Sequence, residues 1–280
     1  MMDHRLTFVL TSLLLLTTAC TAGLADAAEL RDPTPTPPTV VSSTTRPSGV
    51  ETTVTTTTPS TVRPTTTSST VPEVSTETLE PHQVLAARSD RDLAVYPRPL
   101  PVEPDIILDS KTILGTPLVV RVLEGPVDGW LRVSLPVRPN GSEGWVKGDG
   151  LVLFVVDRRV EVDLSDRTLI VSDGDGTLLE TDVAVGSSSS PTPVGTFYVT
   201  DSVITGNDNG PWGPWAFGLS ARSDVITEFN GGDGIIGIHG TNRPSSIGSA
   251  ASLGCVRVPN DIAIELADLI SAGIPVEIKP

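Results

Sequence analysis

The sequence predicts a mainly β protein: a small β-barrel followed by a larger β-sandwich or barrel with one or two helices. Three observations carry that expectation. Short β-prone runs recur from about residue 84 onward, among them "TPLVVRVLEG", "GWLRVSLPV" and "RTLIVSDGDGTLLETDVAVG". Asp128-Gly129, Asn140-Gly141 and the "DGDG" at 173–176 separate these runs, as the turns of hairpins do. One segment alone, "PNDIAIELADLISAGIP", reads as a convincing helix.

Taken in order, residues 1–27 read as an export signal. Arg5 precedes the apolar run "LTFVLTSLLLL", which is shorter than the roughly 20 residues a membrane-spanning helix needs. Cys20, at the end of "TTAC", resembles a bacterial lipobox cysteine, although Thr17 stands where such motifs usually carry a branched aliphatic residue. That resemblance implies a lipid on Cys20 and a mature protein held at the outer face of the cytoplasmic membrane by that anchor alone. The other reading is ordinary signal cleavage near "ADAA" at 25–28. Either way the mature protein lies outside the cytoplasm. Residues 28–83 are rich in Thr, Pro and Ser, without core-forming periodicity, and read as a disordered linker. Fully extended, its central fifty residues would reach about 150 Å at ~3.1 Å each.

Residues 84–153 form the first β unit. In "WLRVSL", Leu131, Val133 and Leu135 alternate with Arg132 and Ser134, as in a half-buried strand. Trp130 and Trp145 are expected in its core. The strand rhythm and the "GWLRV…GWVK" pair resemble a bacterial SH3-like domain. Residues 158–280 form the second unit. Strands are expected through "RRVEVDLSDRTLIVSDGDGTLLETDVAVG" and "TPVGTFYVT", then a long loop through "GNDNGPWGPW" leading into another strand. Asn260 is the expected N-cap of the helix, Asp261 sits in its first turn, and Gly273 with Pro275 stops it. The "VEI" that follows closes the unit as a strand.

The chain carries 19 Lys and Arg against 34 Asp and Glu, a formal net charge of -15, which argues against a nucleic-acid groove or a polybasic membrane patch. Of two cysteines, Cys20 belongs to the signal, so Cys255 is the single thiol of the folded part. His4 lies in the signal and His82 in the linker, which leaves His239. A zinc site of Cys and His ligands is excluded there for lack of ligands, and no cofactor motif is present.

His239 and Cys255 lie 16 positions apart in "IIGIHGTNRPSSIGSAASLGCVRVPN", joined by glycines and small polar residues that permit a chain reversal. A thiol near its ordinary pKa is mostly protonated at neutral pH, and a neighbouring imidazole can take that proton. A backbone carbonyl suffices to orient such an imidazole, and Gly240 offers one. Gly254 allows a tight turn that aims amide N–H groups at a developing oxyanion. Arg257 is a candidate for binding a substrate carboxylate or for holding the loop. Spacing alone leaves a second reading open, in which Cys255 is inert packing and His239 a satisfied structural residue.

The wording of the motif is more specific. "HGTN" followed by "S-x-G-C-V-R" resembles the signature of the L,D-transpeptidase (YkuD) catalytic domain, and "TPVGTF" at 192–197 resembles a weaker upstream feature of that family. The resemblance covers roughly 158–280. It implies a YkuD-type β fold and an enzyme that acts on peptidoglycan stem peptides. Cys255 would be the nucleophile, His239 its proton acceptor and donor, Gly240 the orienting carbonyl, and Gly254 with Cys255 the oxyanion amides. It also implies reaction with carbapenem-type inhibitors and 3→3 cross-links as product. Many members carry a second histidine just before the Gly-Cys pair, where this chain has Leu253. Trp212, Trp215, Asn242 and Ser252 are further candidates for the substrate groove or its loops. An L,D-carboxypeptidase with the same thioester, and a non-catalytic wall-binding lipoprotein, are the competing functions.

Overall fold

Alternating burial in the first unit follows from its alternating sequence. In the computed structural model, which describes residues 75–229 and 231–280, β1 (Val84–Ser89), β4 (Leu118–Val127), β5 (Trp130–Ser134), β6 (Glu143–Lys147) and β7 (Leu151–Val156) form an antiparallel sheet. Its strand order is β6-β5-β4-β1-β7. The short hairpin of β2 (Leu93–Val95) and β3 (Ile106–Leu108) stands beside it. Leu85, Val120, Val122, Leu131, Val133 and Val146 supply its core. Asp128 and Gly129, at φ 50° and 78°, form the two-residue turn between β4 and β5, a backbone region that glycine and aspartate tolerate.

Two details differ from the sequence reading. Trp130 and Trp145 are half-buried and outside the core, because Leu131 and Val146 occupy the inward positions beside them. Trp130 instead meets Tyr96 edge-to-face, ring centroids 5.1 Å apart, with the Lys147 ammonium 5.7 Å from the indole centroid. Residues 75–83, expected as the end of the linker, already pack: Thr76 donates a hydrogen bond to the Gly125 carbonyl at 3.1 Å, and Leu79 rests on the small core. Cys20, the export signal and the rest of the linker lie outside the described residues.

The second unit is built on an eight-stranded sheet of order β10-β9-β8-β17-β12-β13-β14-β16. Its strands are β8 (Arg159–Asp163), β9 (Thr168–Ser172), β10 (Thr177–Asp182), β12 (Gly195–Ile204), β13 (Trp215–Arg222), β14 (Ile235–His239), β16 (Val256–Arg257) and β17 (Pro275–Lys279). β12 changes partner along its length. Gly195–Tyr198 pair with β17, and from Val199 onward the strand pairs with β13, with a bulge between Val199 and Asp201. A short parallel pair joins β11 (Val185–Gly186) to β15 (Ala250–Ser252). Phe197, Phe217, Leu219, Ile236, Ile238, Val256 and Val276 form the core.

Helix α1 (Asn260–Leu269) turns Ala263 and Leu266 into that core, three residues apart on one face. Its N-cap is Pro259, which offers no side-chain acceptor, so Asn260 is the first helical residue and not the expected cap. Its side chain is used elsewhere. The Asn140-Gly141 turn does more than reverse the chain: Asn140 donates to the Arg222 carbonyl at 2.7 Å and accepts from the Arg222 N–H at 2.8 Å. Both units belong to one compact body.

Candidate active site

Strand register decides which side chains share a face. Phe217, Ile238 and Val256 are paired neighbours on β13, β14 and β16, and all are fully buried in the core. Their chain neighbours therefore point to the opposite face. One row on that face is Ala216, His239 and Arg257, and the next holds Gly218 and Gly237. Cys255 directly precedes β16 and, by continuation of its register, lies across from Gly237. Two residues along and one strand across separates the Cys255 and His239 Cα atoms by about 8 Å, within combined side-chain reach. Gly237 contributes no side chain between them.

His239 is the last residue of β14 and only 6% exposed. Its Nδ1 lies 2.5 Å from the Gly240 carbonyl oxygen. A carbonyl only accepts, so Nδ1 carries the proton and Nε2 is the unprotonated nitrogen. Burial lowers the His239 pKa to about 4; the Gly240 carbonyl opposes that shift and the positive charge of Arg257 adds to it. The ring is thus neutral at physiological pH and competent to accept a proton. Trp212 stands 6.4 Å from it, centroid to centroid.

The backbone beyond the histidine is pinned at close quarters. The Gly240 N–H donates to the Trp215 carbonyl at 3.2 Å, and the Thr241 N–H donates to Asn260 Oδ1 at 2.7 Å. Asn260 Nδ2 donates to the Asp208 carbonyl at 3.0 Å, tying the helix start to the loop before β13. A Cβ on Gly240 would fall 2.5 Å from Asn260 Oδ1, so only glycine fits there. Asn260 is therefore a site residue that the sequence disguised as a helix cap.

The cysteine loop is held by buried hydroxyls. Ser252 donates to the Cys255 carbonyl at 2.6 Å and accepts from the Gly254 N–H at 3.0 Å. That second bond corrects the expected oxyanion role of Gly254, whose N–H is spent inside the loop. Gly254 is needed for its φ of 118° and because a Cβ would meet Ile236 Cδ1 at 2.9 Å. Thr192 donates to the Gly254 carbonyl at 2.8 Å, and Ser190 to the Leu253 carbonyl at 2.8 Å. Neither residue stands out in the sequence, although Thr192 opens the "TPVGTF" feature. Cys255 itself is half-buried and takes part in no disulfide among the described residues.

Among the remaining candidates, Arg257 is buried beside His239, its backbone exchanging two 2.8 Å hydrogen bonds with Ala184. Trp215 packs on the large core and donates from Nε1 to Ser202 at 2.9 Å, which removes it from the groove. Asn242 is exposed and stands outside this network.

The site thus brings together a neutral imidazole with a fixed tautomer, a thiol on the same face and a buried arginine beside them. Residues 157–278 match the family model of YkuD, the L,D-transpeptidase catalytic domain. YkuD of Bacillus subtilis is 31% identical over 151 residues, 52% of this chain and 84% of that protein. YkuD of Bacillus licheniformis is 36% identical over 122 residues, 44% of this chain and 66% of that one. Among solved structures, an L,D-transpeptidase from Mycobacterium smegmatis aligns at 17% identity and a TM-score of 0.37, covering 58% of this chain and 90% of that one. The chain belongs to the YkuD family of L,D-transpeptidases, and its second unit is an acyltransferase domain.

Proposed function

We propose that the protein cross-links peptidoglycan through a thioester on Cys255. The observation that carries this reading is the tautomer of His239: Nδ1 is tied to the Gly240 carbonyl at 2.5 Å, leaving Nε2 bare on the face that Cys255 shares. As the thiol attacks the carbonyl between the L-centre of a diamino acid and a terminal D-alanine, Nε2 takes its proton. The C–S bond forms, the C–N bond breaks, and the imidazolium returns the proton to the departing D-alanine amine. An amine from a neighbouring stem then attacks the thioester, gives its proton to Nε2, and leaves a 3→3 cross-link with the thiol restored.

Burial favours this order of events. With the His239 pKa near 4, a standing thiolate–imidazolium pair is disfavoured, so the proton moves as the substrate is attacked. Arg257 offers a positive charge beside His239 for a donor carboxylate, and Trp212 flanks the ring. With the Gly254 N–H engaged by Ser252, the Cys255 amide takes the oxyanion position, worth about 3 kcal/mol by analogy with other such donors. A carbapenem acylates the same sulfur. The protein acts outside the cytoplasm, with a lipid on Cys20 anchoring it to the outer face of the membrane.

Incubation with a purified tetrapeptide stem, followed by mass analysis, tests the assignment. Cross-linked dimer with release of D-alanine is expected. Tripeptide alone marks an L,D-carboxypeptidase, in which water resolves the thioester. No product from the wild type would leave the wall-binding alternative.

A further inference from the structure

Each carbonyl of the nucleophile loop from Ser252 to Cys255 accepts a hydrogen bond. The Ser187 N–H donates to the Ser252 carbonyl at 3.0 Å, Ser190 Oγ to Leu253 at 2.8 Å, Thr192 Oγ1 to Gly254 at 2.8 Å and Ser252 Oγ to Cys255 at 2.6 Å. The first three donors belong to one segment, 187–192, folded back by the Ser190 N–H donating to the Ser187 carbonyl at 3.0 Å. Thr192 is 4% exposed. Its hydroxyl accepts from the Gly186 N–H at 2.8 Å, so its single proton is committed to the Gly254 carbonyl. Branching at Cβ stiffens its χ1, and Pro193 disfavours helical backbone at Thr192. The donor is therefore held as firmly as the carbonyl it meets.

These bonds fix peptide planes, and the planes fix the amides. The Gly254–Cys255 peptide is trans, so its C=O and N–H point in opposite directions. By gripping the Gly254 oxygen, Thr192 sets the direction of the Cys255 N–H from the other side of the same plane. The preceding plane serves another end. Ser190 grips the Leu253 oxygen, yet the N–H of that plane belongs to Gly254 and is taken by Ser252 at 3.0 Å. Two hydroxyls of one segment, with bonds of equal length, thus hold two consecutive planes, and only the plane held by Thr192 carries the Cys255 amide.

We propose that Thr192 is a positioning residue for acyl transfer: its hydroxyl aims the Cys255 N–H at the developing oxyanion and strengthens that N–H as a donor. A hydrogen bond accepted by a peptide carbonyl draws electron density toward the oxygen and leaves the N–H of the same unit more positive. Thr192 itself touches no substrate atom. The inference rests on the reading of Cys255 as the acylated residue and its amide as the oxyanion donor. An oxyanion exists only while a carbonyl is under attack. Thr192 therefore acts on acylation and leaves the nucleophilicity of the sulfur, which His239 governs, unchanged.

The test compares two reactions of the same sulfur, both followed by mass. A carbapenem is attacked at its β-lactam carbonyl: the C–S bond forms, the ring C–N bond breaks and an oxyanion develops between. Iodoacetamide is attacked at its saturated carbon: the C–S bond forms, iodide leaves and no oxyanion arises. In both, Nε2 of His239 takes the thiol proton. Removing an oxyanion donor costs about 10²–10³-fold, and a donor present but unheld loses part of that. Thr192→Val is expected to slow carbapenem acylation about tenfold or more while alkylation stays within about twofold. Thr192→Ala, smaller and equally without a hydroxyl, is expected to match it, and Thr192→Ser to restore acylation to within about threefold of the wild type. Ser190→Ala is the matched control, expected to keep the ratio of acylation to alkylation within about twofold of the wild type. Equal falls in both reactions on loss of the Thr192 hydroxyl, unchanged acylation, or a ratio that falls as far in Ser190→Ala overturns the assignment. A wild type that alkylates at Cys255 but takes up no carbapenem there overturns the underlying chemistry instead, a result distinct from a wild type that acylates at a ratio indifferent to Thr192.

Discussion

Replacing Asn260 by alanine tests the idea that the histidine is positioned from a distance. The side chain accepts from the Thr241 N–H at 2.7 Å and donates to the Asp208 carbonyl at 3.0 Å. Two lost hydrogen bonds at about 1 kcal/mol each, together with a Thr241 N–H left unpaired at a 3% exposed residue, amount to roughly 2–4 kcal/mol. For a folded body of this size that corresponds to a fall in Tm of roughly 5–15 °C. The chemical effect is separate. Gly240 sits against Asn260 Oδ1, and its carbonyl sets the His239 ring, so a small shift there is expected to slow acylation by about 10–100-fold. Thermal unfolding and the time course of carbapenem adduct formation measure the two effects. Asn260→Asp keeps the acceptor for Thr241 but faces the Asp208 carbonyl with a carboxylate, so it should recover rate more than stability. An alanine variant with wild-type Tm and wild-type acylation would refute the reasoning.

Three other outcomes are expected. The His239 pKa is lowered to about 4, chiefly by burial, so the ring stays neutral as pH falls below 6; the acid limb of acylation should therefore lie near pH 4, and Arg257→Gln should move it upward by removing an opposing charge. An acid limb at the ordinary histidine value in the wild type contradicts this. Ser252→Ala removes the acceptor of the Gly254 N–H and the donor to the Cys255 carbonyl, costing about 2 kcal/mol or more and at least tenfold in acylation rate; unchanged melting and kinetics would show the loop holds itself. Arg138→Met removes three carbonyl contacts and an ion pair to the half-exposed Asp233, for about 2 kcal/mol after allowing for solvent screening. Amide exchange should then quicken across 223–234 more than in the small sheet, and uniform exchange would contradict that.

The parts legible in the sequence are those with local causes. The period-2 burial of β5 was plain because Leu131 and Val133 alternate with Arg132 and Ser134, and the Asp128-Gly129 turn because few residues tolerate its φ values. The His-to-Cys motif was legible by wording, and the register of β14 and β16 supplies the proximity that spacing left open. What escaped was non-local. "P-N-D" before a helix reads as a cap, and nothing nearby reveals that Asn260 answers Thr241, 19 positions earlier. Trp130 and Trp145 escape because aromatic size suggests a core, while strand parity gives the inward positions to their aliphatic neighbours. Gly254 reads as an oxyanion donor because its N–H is near the sulfur in sequence, yet that N–H bonds to Ser252. Asn140 reads as a turn residue because its partner, Arg222, lies more than 80 positions away.

The most direct measurement is intact-protein mass spectrometry after exposure to a carbapenem, with the wild type beside Cys255→Ala and His239→Ala. A single adduct on the wild type, none on the cysteine variant and an acylation rate lowered by at least about 100-fold on the histidine variant are expected. An adduct that persists without the sulfur of residue 255, or forms at full speed without the imidazole of residue 239, would contradict acyl transfer by this pair.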